Sequence, residues 1–349
     1  MLNLRETWFI SLSALAVAFV LVGIFFASTG NSAMEVFYSL YRGAFGSWFS
    51  WQNTLVRAAP LMLTALCTVI PARVGLIVIG GEGAMVVGGL CAALVGLALA
   101  PTSPMIVIAG MALAGALSAG LWIAAVGALK YFRNVNETIS SLLLNYIAIA
   151  ILNFLVVGVL KDPATLNNPS THAIGEINMI GNMGSSTVHW GLAYGFLVCV
   201  GLWILCRHSV FGFAADVVGG NLRAARLAGL PVAKTLLWCC FLGGAAAGLA
   251  GMLEIAAIHG RANNSLNAGY GYAGILVAFL ARQNPLAVIP YAVLLGGIQA
   301  SGGLLQRVHE LPDAAVYVIQ GIIFMVILSS ELFYGKFKWL QGKLDQGKT

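Results

Sequence analysis

Long apolar runs separated by short polar breaks occupy most of the chain. Nine of these runs are long enough to cross a bilayer, since about 20 consecutive apolar residues span its hydrocarbon core as a helix. A tenth stretch, residues 266–282, is shorter and rich in glycine, so it either crosses or dips in and returns. The pattern predicts an all-α, polytopic membrane protein with about ten transmembrane helices. The nine longer runs are residues 8–28, 55–71, 76–100, 105–129, 138–160, 190–206, 235–258, 285–305 and 313–331.

The distribution of positive charge decides between the two paths for residues 266–282. Cytoplasmic loops of membrane proteins are enriched in lysine and arginine. With the N-terminus inside and residues 266–282 crossing, 13 of the 18 cations lie inside; if the stretch only dips in, nine lie on each side. We therefore predict about ten crossings with both termini cytoplasmic. The five cations left outside are Arg42, Arg57, Lys161, Arg261 and Arg307.

Composition excludes a soluble globule. Hydrophobic residues make up 60% of the 349 positions and charged residues only 9%, against roughly 25% charged residues in a soluble domain. The 42 glycines suit close helix packing in lipid. The net charge of +6 is carried near the ends of the apolar runs. A nucleic-acid partner would require a basic stripe on a polar fold, and the sequence has no such stripe.

The sequence carries no pattern typical of a catalytic or metal site. The six cysteines all lie in apolar runs without C-x-x-C spacing, which favours packed thiols. The five histidines are scattered, and neither H-E-x-x-H nor G-x-S-x-G is present. We expect no catalytic residue, no metal and no cofactor.

The final residues, GKLDQGKT (342–349), match the phosphate-binding pattern G-x-x-x-x-G-K-[ST]. A working phosphate loop lies between a buried strand and a helix whose free N–H groups bind the phosphates. The preceding KFKWLQGKLDQ shows no buried-strand run, and the sequence has no helix after Thr349. We interpret residues 332–349 as a basic cytoplasmic tail whose lysines lie on the anionic inner leaflet.

Three polar stretches separate the apolar runs. Residues 161–189 are turn-rich and are expected outside, and residues 207–234, with four cations, are expected inside. Residues 31–53 carry seven aromatic side chains, which is typical of an interfacial belt.

The internal stretch contains the run GGNLRAARLAGLP, which predicts a short helix. Asn221 is a good N-cap, and the residues from Leu222 to Ala228 are strong helix formers. Gly229 suits the position after the helix, and Pro231 follows as a stop. The predicted helix has about two turns and lies between membrane spans.

A helix this short is unstable alone in water, so something must pack on it. Arg223 and Arg226 share one side, and a small apolar surface is expected from Leu222, Ala225 and Leu230. One interpretation is an ordinary loop that rests on its own bundle or on lipid headgroups. The other is a docking surface for a cytosolic partner.

The same run resembles the coupling segment of ABC importer permeases of the ribose and nucleoside type, G-x-N-P-x-A-A-R-Y-A-G-I. Leu222 stands where that family has proline, and Leu227 where it has tyrosine. Three more runs, in the family's order, are similar to motifs of the nucleoside branch. They are ARVGLIVIGGEGAM (72–85), similar to R-A-G-L-F-N-I-G-x-E-G-Q; NETISSLLLNYIA (136–148), similar to N-E-V-I-x-T-I-M-L-N-Y-I-A; and GYGYAGILVAFLARQNP (269–285), similar to G-Y-G-F-x-A-I-A-V-A-L-L-G-x-x-x-P.

The resemblance implies a type II ABC importer permease fold of about ten helices, here a single transmembrane domain over residues 1–349. It implies a path for a nucleoside or sugar-like solute, in the bacterial cytoplasmic (inner) membrane. It also implies three kinds of partner: a second permease subunit, identical or homologous; cytosolic ABC ATPases; and an external solute-binding protein. The residues expected to couple to the ATPase are Asn221, Leu222, Arg223, Ala225, Arg226 and Gly229.

The chain departs from the family pattern at three positions. Ile77 and Val78 stand where the family has Phe-Asn, and Ala84 stands where it has glutamine. If the family's polar side chains line the pore, the pore of this chain is more apolar.

Two acids fall well inside apolar runs, where an ionised side chain costs roughly 2.5–3.5 kcal/mol at mid-depth. Glu82 lies in the run Gly80-Gly81-Glu82-Gly83, where glycines can open the backbone to a cavity. Either it is a structural carboxylate bonded to a neighbouring helix N-terminus, or it contacts the solute. Glu254 lies near the outer end of its run, within reach of the interface, which favours a packing or gating role.

Asn145 lies in mid-run and either bonds across helices or faces the pore. Together with Gly80, Gly81, Glu82, Gly83 and Glu254 it completes the candidate translocation path. Gly244 and Gly248 form a GxxxG pair, which predicts close helix contact.

One rival function is an ion-coupled secondary transporter with Glu82 as the coupling acid. Another is a membrane-embedded enzyme, which would need a catalytic constellation.

Overall fold

The computed structural model describes residues 4–165, 168–312 and 314–331. These ranges form no strand, only two isolated bridges that pair Ser170 with Asn263 and Asn182 with His189. The helices are α1 (Leu4–Ser28), α2 (Ala33–Phe45), α3 (Trp48–Ala72), α4 (Gly81–Leu99), α5 (Pro104–Arg133), α6 (Glu137–Val157), α7 (Gly191–His208), α8 (Val210–Gly220), α9 (Leu222–Leu227), α10 (Val232–Leu253), α11 (Tyr270–Leu280), α12 (Val288–His309) and α13 (Ala314–Glu331). A π-helix, Glu254–His259, continues α10, and two short 3₁₀ turns lie at Glu176–Asn178 and Asn264–Leu266.

Seven helices in the described ranges are long and apolar enough to cross a membrane, or eight if the bent pair α1–α2 counts as one span. The seven are α3, α4, α5, α6, α7, α10 with its continuation, and α12. The predicted all-α polytopic fold is confirmed, and the predicted count of ten is approximate. One reason is α11, whose 11 residues give a length of only about 16 Å, roughly half the hydrocarbon core.

Although α11 is short, the segment that contains it runs from one end of the bundle to the other. Asn263 pairs with Ser170 in the loop of residues 161–189. After α11, Arg282 lines a cavity together with Arg73 and Asp216 at the opposite end. The part of this passage before α11 is irregular and includes a 3₁₀ turn, and the rest is helical. α4 has the same order along the chain, because the non-helical residues 76–80 precede it.

The chain packs as two compact units, and the larger comprises Gln52–Gly296. In this unit α4, α5 and α10 form the closest-packed layer. Gly88 faces the backbone of Gly248, which in turn faces the carbonyl of Gly115. Gly244 faces Ala119 and Ile123 on α5. The close contact predicted for the GxxxG pair is therefore confirmed, since glycine lets backbones approach without intervening side chains.

The smaller unit comprises the described parts of Met1–Trp51 and Gly297–Thr349. Its core joins α1, α2, the second half of α12 and α13, and Phe37 stacks on Phe19 with ring centroids 3.8 Å apart. Residues 31–53 form α2 and the start of α3. Several of the aromatic side chains there are exposed, as an interfacial belt requires: Tyr38, Tyr41, Trp48, Phe49 and Trp51.

The two loops of the larger unit have more structure than the sequence indicated. Ile174 and Ile180, in the loop of residues 161–189, are buried and donate backbone N–H groups to the carbonyls of Gly260 and Ala256. Residues 207–234 contain two helices, α8 and α9, where one was predicted. The predicted basic tail, with its phosphate-loop-like GKLDQGKT, lies outside the described residues.

Candidate functional site: a broken-helix junction and an exposed capped helix

The non-helical residues 76–80 need partners for their backbone groups, because a membrane core provides no water. One face of α6 provides them. Thr138 donates its hydroxyl to the carbonyl of Ile77 at 3.0 Å, and the Ser141 hydroxyl accepts the N–H of Ile79 at 3.1 Å. Asn145 donates its amide to the carbonyl of Ile79 at 3.2 Å. The spacing of these three polar residues, three and then four, was the sequence signal that the prediction missed for Thr138 and Ser141.

Asn145 also joins α6 to the first turn of α4. Its Oδ1 accepts the N–H of Gly83 at 2.6 Å, and the side chain is fully buried. A Cβ at Gly83 would lie 2.7 Å from the Asn145 Oδ1, so glycine is required at this contact. Of the two predicted roles for Asn145, the structure shows the bond across helices.

Glu82 joins the N-termini of two helices. Its carboxylate is fully buried and accepts two backbone N–H groups, from Gly269 at 2.8 Å and from Gly271 at 2.5 Å. These donors flank the start of α11, where a negative charge is stabilised by the helix dipole. Gly269 adopts a φ of +81°, which favours glycine. This is the arrangement that the structural interpretation of Glu82 describes.

The remaining glycines of the candidate path also lie in packed contacts. A Cβ at Gly80 would lie 2.9 Å from Ile123, and one at Gly81 would contact the backbone of Gly271. In the described chain, Gly80, Gly81, Glu82, Gly83 and Asn145 therefore meet in a buried junction between α4, α6 and α11. Their place on a translocation path stays a prediction.

Glu254 begins the π-helix and is 3% exposed. Its Oε2 lies 3.4 Å from Nε2 of His259, while its Oε1 has no hydrogen-bond partner among the described residues. Glu254 is therefore packed inside the chain, and its predicted packing or gating role stays a prediction.

α9 has the caps that the sequence predicted. The Asn221 side chain accepts the N–H groups of Arg223 at 2.9 Å and Ala224 at 3.1 Å. Gly229 adopts a φ of +74° and ends the helix. The N–H of Leu230 bonds back to the carbonyl of Ala225, which satisfies a carbonyl that the helix leaves free.

The exposed surface of α9 differs from the prediction in one respect. Ala225 is fully buried, so it packs against its own chain and is not part of the outer surface. Leu227 is 91% exposed, and the predicted Leu222 is also exposed, so these two side chains form the outer apolar surface. Arg223 is exposed, and the Arg226 guanidinium lies 5.9 Å from the ring centre of Tyr131. The surface of α9 therefore presents two exposed leucines, Leu222 and Leu227, beside two arginines.

α8 attaches this surface to the helix that leads into the junction. Arg73, just after α3, makes an ion pair of 3.2 Å with Asp216 on α8 and donates to the carbonyl of Cys206 at 3.2 Å. Gly219 packs directly on the backbone of Arg73. A short chain of contacts therefore links α9, through α8, to the residues that precede the extended segment 76–80.

The three departures from the family pattern differ in their surroundings. Ile77 is 50% exposed, whereas Val78 and Ala84 are fully buried. Only Ile77 therefore changes the chemistry of the surface of the subunit, and the other two change its interior packing.

The fold and the junction define a polytopic, all-α membrane protein in which Glu82 joins the first turn of α4 to the start of α11. The chain matches the family described as "Branched-chain amino acid transport system / permease component" over residues 50–328, and it belongs to that family. The chain is an ABC transporter permease subunit.

Named relatives cover nearly the whole chain. The guanosine ABC transporter permease protein NupP of Bacillus subtilis is 29% identical over 330 residues, which are 91% of each protein. The glucose ABC transporter permease protein TsgB13 of Haloferax volcanii is 28% identical over 92% of this chain and 86% of its own length. The nucleoside ABC transporter permease protein NupB of Lactococcus lactis is 24% identical over 91% of this chain and 90% of its own length.

Proposed function

We propose that this permease subunit imports a nucleoside or a related sugar-like solute and that a separate cytosolic ATPase powers it. A second permease subunit, identical or homologous, completes the translocation path. An external binding protein delivers the solute near the loop of residues 161–189. The subunit lies in a bacterial cytoplasmic membrane with both termini inside.

The observation that carries this proposal is the exposed, capped α9. A six-residue helix is too short to be stable alone, yet this one is fixed by Asn221, Gly229 and the buried Ala225. The arrangement holds Arg223, Arg226 and Leu227 outward at one end of the bundle. A positively charged surface with a central apolar contact fits a partner that has an acidic, grooved face.

The contacts around Arg73 support a route for movement from the ATPase to the path. A push on α9 reaches α8, and the Arg73–Asp216 pair transmits it to the chain just before residues 76–80. Within that segment residues 77–79 are not helical, and their backbone groups bond to side chains of α6. The hydrogen bonds of this segment to Thr138, Ser141 and Asn145 can then break and re-form together.

The solute class rests on the relatives and on the motifs together. Two of the three relatives above are named for guanosine or nucleosides and one for glucose. The motifs at residues 72–85, 136–148 and 269–285 meet at the Glu82 junction. We therefore place nucleosides first and sugars second.

The rival role of Glu82 as an ion-coupling acid is disfavoured by its contacts. Both carboxylate oxygens accept backbone N–H groups. Protonation of either oxygen would leave the N–H of Gly269 or of Gly271 facing a hydroxyl group, which weakens that buried hydrogen bond. Uptake by the purified chain alone, driven by an ion gradient in vesicles, would support the rival.

Reversing the charge of α9 tests the proposal. Arg223→Glu with Arg226→Glu, in the assembled transporter in vesicles, should lower solute uptake at least about ten-fold while the ATPase keeps its basal rate. The matched control is Arg42→Glu with Arg57→Glu, which reverses two exposed cations expected on the outer face and should leave uptake near the unmodified level. Unchanged uptake in the α9 variant would refute the docking role.

The orientation of the chain has its own test. Ser265 and Gln283 are exposed on either side of α11. In a background without the native cysteines, Ser265→Cys should react with a membrane-impermeant maleimide from outside and Gln283→Cys only from inside. Reaction of both from the same side would mean that the segment does not cross.

A further inference from the structure

A polar cavity of ≈ 390 Å³ lies at the same end of the larger unit as α8 and α9. It is formed where α7 passes into α8 and where the chain turns after α11. We call it the arginine pocket. Its lining residues are Arg73, Trp203, Cys206, Arg207, Ser209, Phe213, Asp216, Arg282, Gln283 and Asn284.

The lining of the arginine pocket has an excess of positive charge. Three of its ten lining residues are arginines and one, Asp216, is an acid. Asp216 pairs with Arg73 at 3.2 Å. The lining therefore carries three guanidinium groups against one carboxylate. An excess of two guanidinium groups in one concave site favours an anion.

Three further features suit an anion that bears phosphate. Arg207 lies over the ring of Trp203, with its guanidinium carbon 5.8 Å from the ring centre, a contact that guanidinium groups favour. α8 begins at its cap, Ser209, in the pocket wall, so the positive end of an 11-residue helix contributes to the same field. Arg282 and Gln283 adopt consecutive φ values of 48° and 58°, a strained turn of the kind found at ligand clamps.

We propose that the arginine pocket binds a phosphate group and that the headgroup of an anionic phospholipid supplies it. The pocket lies at the last turn of α7, and α7 exposes a broad apolar face that includes Leu197 and Ile204. A phospholipid whose tails lie along α7 would place its headgroup at the level of Arg207. Guanidinium groups bind phosphate oxygens in a two-pronged geometry, and basic pockets beside membrane helices bind acidic headgroups.

The experiment measures phospholipid retention by the purified full chain in detergent, using native mass spectrometry. The probes are phosphatidylglycerol and, as the neutral comparison, phosphatidylcholine. The test variant is Arg207→Gln with Arg282→Gln, which leaves the Arg73–Asp216 pair in place. The matched control is Arg133→Gln with Lys234→Gln, which removes two exposed cations from the same end of the bundle.

We expect the unmodified chain and the control to bind phosphatidylglycerol at least about ten-fold more tightly than the test variant does. Phosphatidylcholine should show no such difference. A second variant, Arg207→Lys with Arg282→Lys, keeps the charge but loses the two-pronged geometry and should fall in between. It serves as the test if the glutamine variant fails to fold. Equal retention by the unmodified chain and by the variants would overturn the proposal.

Inorganic phosphate and ATP separate the two sources of the phosphate group. Neither should compete with phosphatidylglycerol at millimolar concentration if a lipid is the ligand. If phosphate or ATP competed with phosphatidylglycerol on the unmodified chain but not on the test variant, the pocket would still be a phosphate site. Its ligand would then be a soluble phosphate compound in place of the lipid. Loss of phosphatidylglycerol binding in the control as well would show a general charge effect and refute the pocket.

Discussion

Asn145 and Gly83 lie 62 residues apart in sequence, and the Asn145 Oδ1 accepts the Gly83 N–H at 2.6 Å. The bond caps α4 from a neighbouring helix, because the residue before α4 is a glycine without a capping side chain. A span that begins inside a membrane cannot rely on water to satisfy its first N–H groups. The capping residue therefore has to come from elsewhere in the bundle.

Asn145→Leu should lower the free energy of unfolding by about 2–4 kcal/mol, because it leaves the Gly83 N–H and the Ile79 carbonyl without these partners. The measurement is thermal unfolding of the purified chain in detergent. Asn153→Leu is the control, since Asn153 is exposed on the same helix, and it should have little effect. A similar loss in both variants would show that the capping bond contributes nothing specific.

Glu82→Gln should lower the free energy of unfolding by roughly 2–3 kcal/mol, because an amide has only one acceptor for the two N–H groups of Gly269 and Gly271. Glu254→Gln provides the comparison. Glutamine keeps one oxygen for the contact of Glu254 with His259, and the Glu254 Oε1 has no hydrogen-bond partner among the described residues, so the replacement should cost less than about 1 kcal/mol. If Glu82→Gln abolished transport without any change in stability, the rival coupling role would be favoured over the structural one.

Gly248→Ala should destabilise the larger unit by about 1–3 kcal/mol, because the new methyl group would lie 2.6 Å from the Ala119 side chain and meet the Gly115 carbonyl. Gly201→Ala is a matched control on α7, where an added Cβ has no neighbour within 4 Å. Alanine favours helix over glycine by about 1 kcal/mol, so this variant should be neutral or slightly more stable. The two melting temperatures, compared with that of the unmodified chain, give the answer.

The burial of His189 leads us to expect a loss of stability in mild acid. Its Nδ1 accepts the N–H of Gly191 at 3.1 Å, and burial lowers its pKa from 6.5 to about 4. Between these two values the unfolded chain binds more protons than the folded chain, so the free energy of unfolding falls as the pH falls. The expected contribution is roughly 2 kcal/mol between about pH 7 and pH 5.

His189→Gln should remove that part of the pH dependence, measured as the difference in melting temperature at the two pH values. His172→Gln, which changes an exposed histidine of the same loop, should retain it. If the His189 variant kept the full pH dependence, another group would have to be responsible.

Much of the bundle could be predicted from the sequence because its signals are local. Apolar length predicted most spans, and the pattern Asn221 to Gly229 predicted α9 with both of its caps. α8 was missed because its residues, VFGFAADVVGG, carry no charge pattern and follow a polar break. The inward direction of Ala225 was missed because the short helix could be read in more than one orientation.

The candidate site could be predicted only in part. Glu82 and Asn145 were identified because a carboxylate and an amide are conspicuous in apolar runs. The donors to Glu82 lie 187 and 189 residues further along the chain, so no local pattern could pair them. Thr138 and Ser141 are common in membrane helices, and their function depends on an extended segment that residues 76–80 do not reveal by composition.

The carboxylate of Glu82, in the first turn of α4, also holds the start of the short α11, and the two helices leave it toward opposite ends of the larger unit. α4 runs from it to the end where Gly96 lies against Ile174, and α11 runs to the end where Arg282 lies. A displacement of α11 at the Arg282 end would therefore reach the first turn of α4, and a displacement of α4 at the Gly96 end would reach α11. One buried acid would let either face of the membrane sense the state of the other.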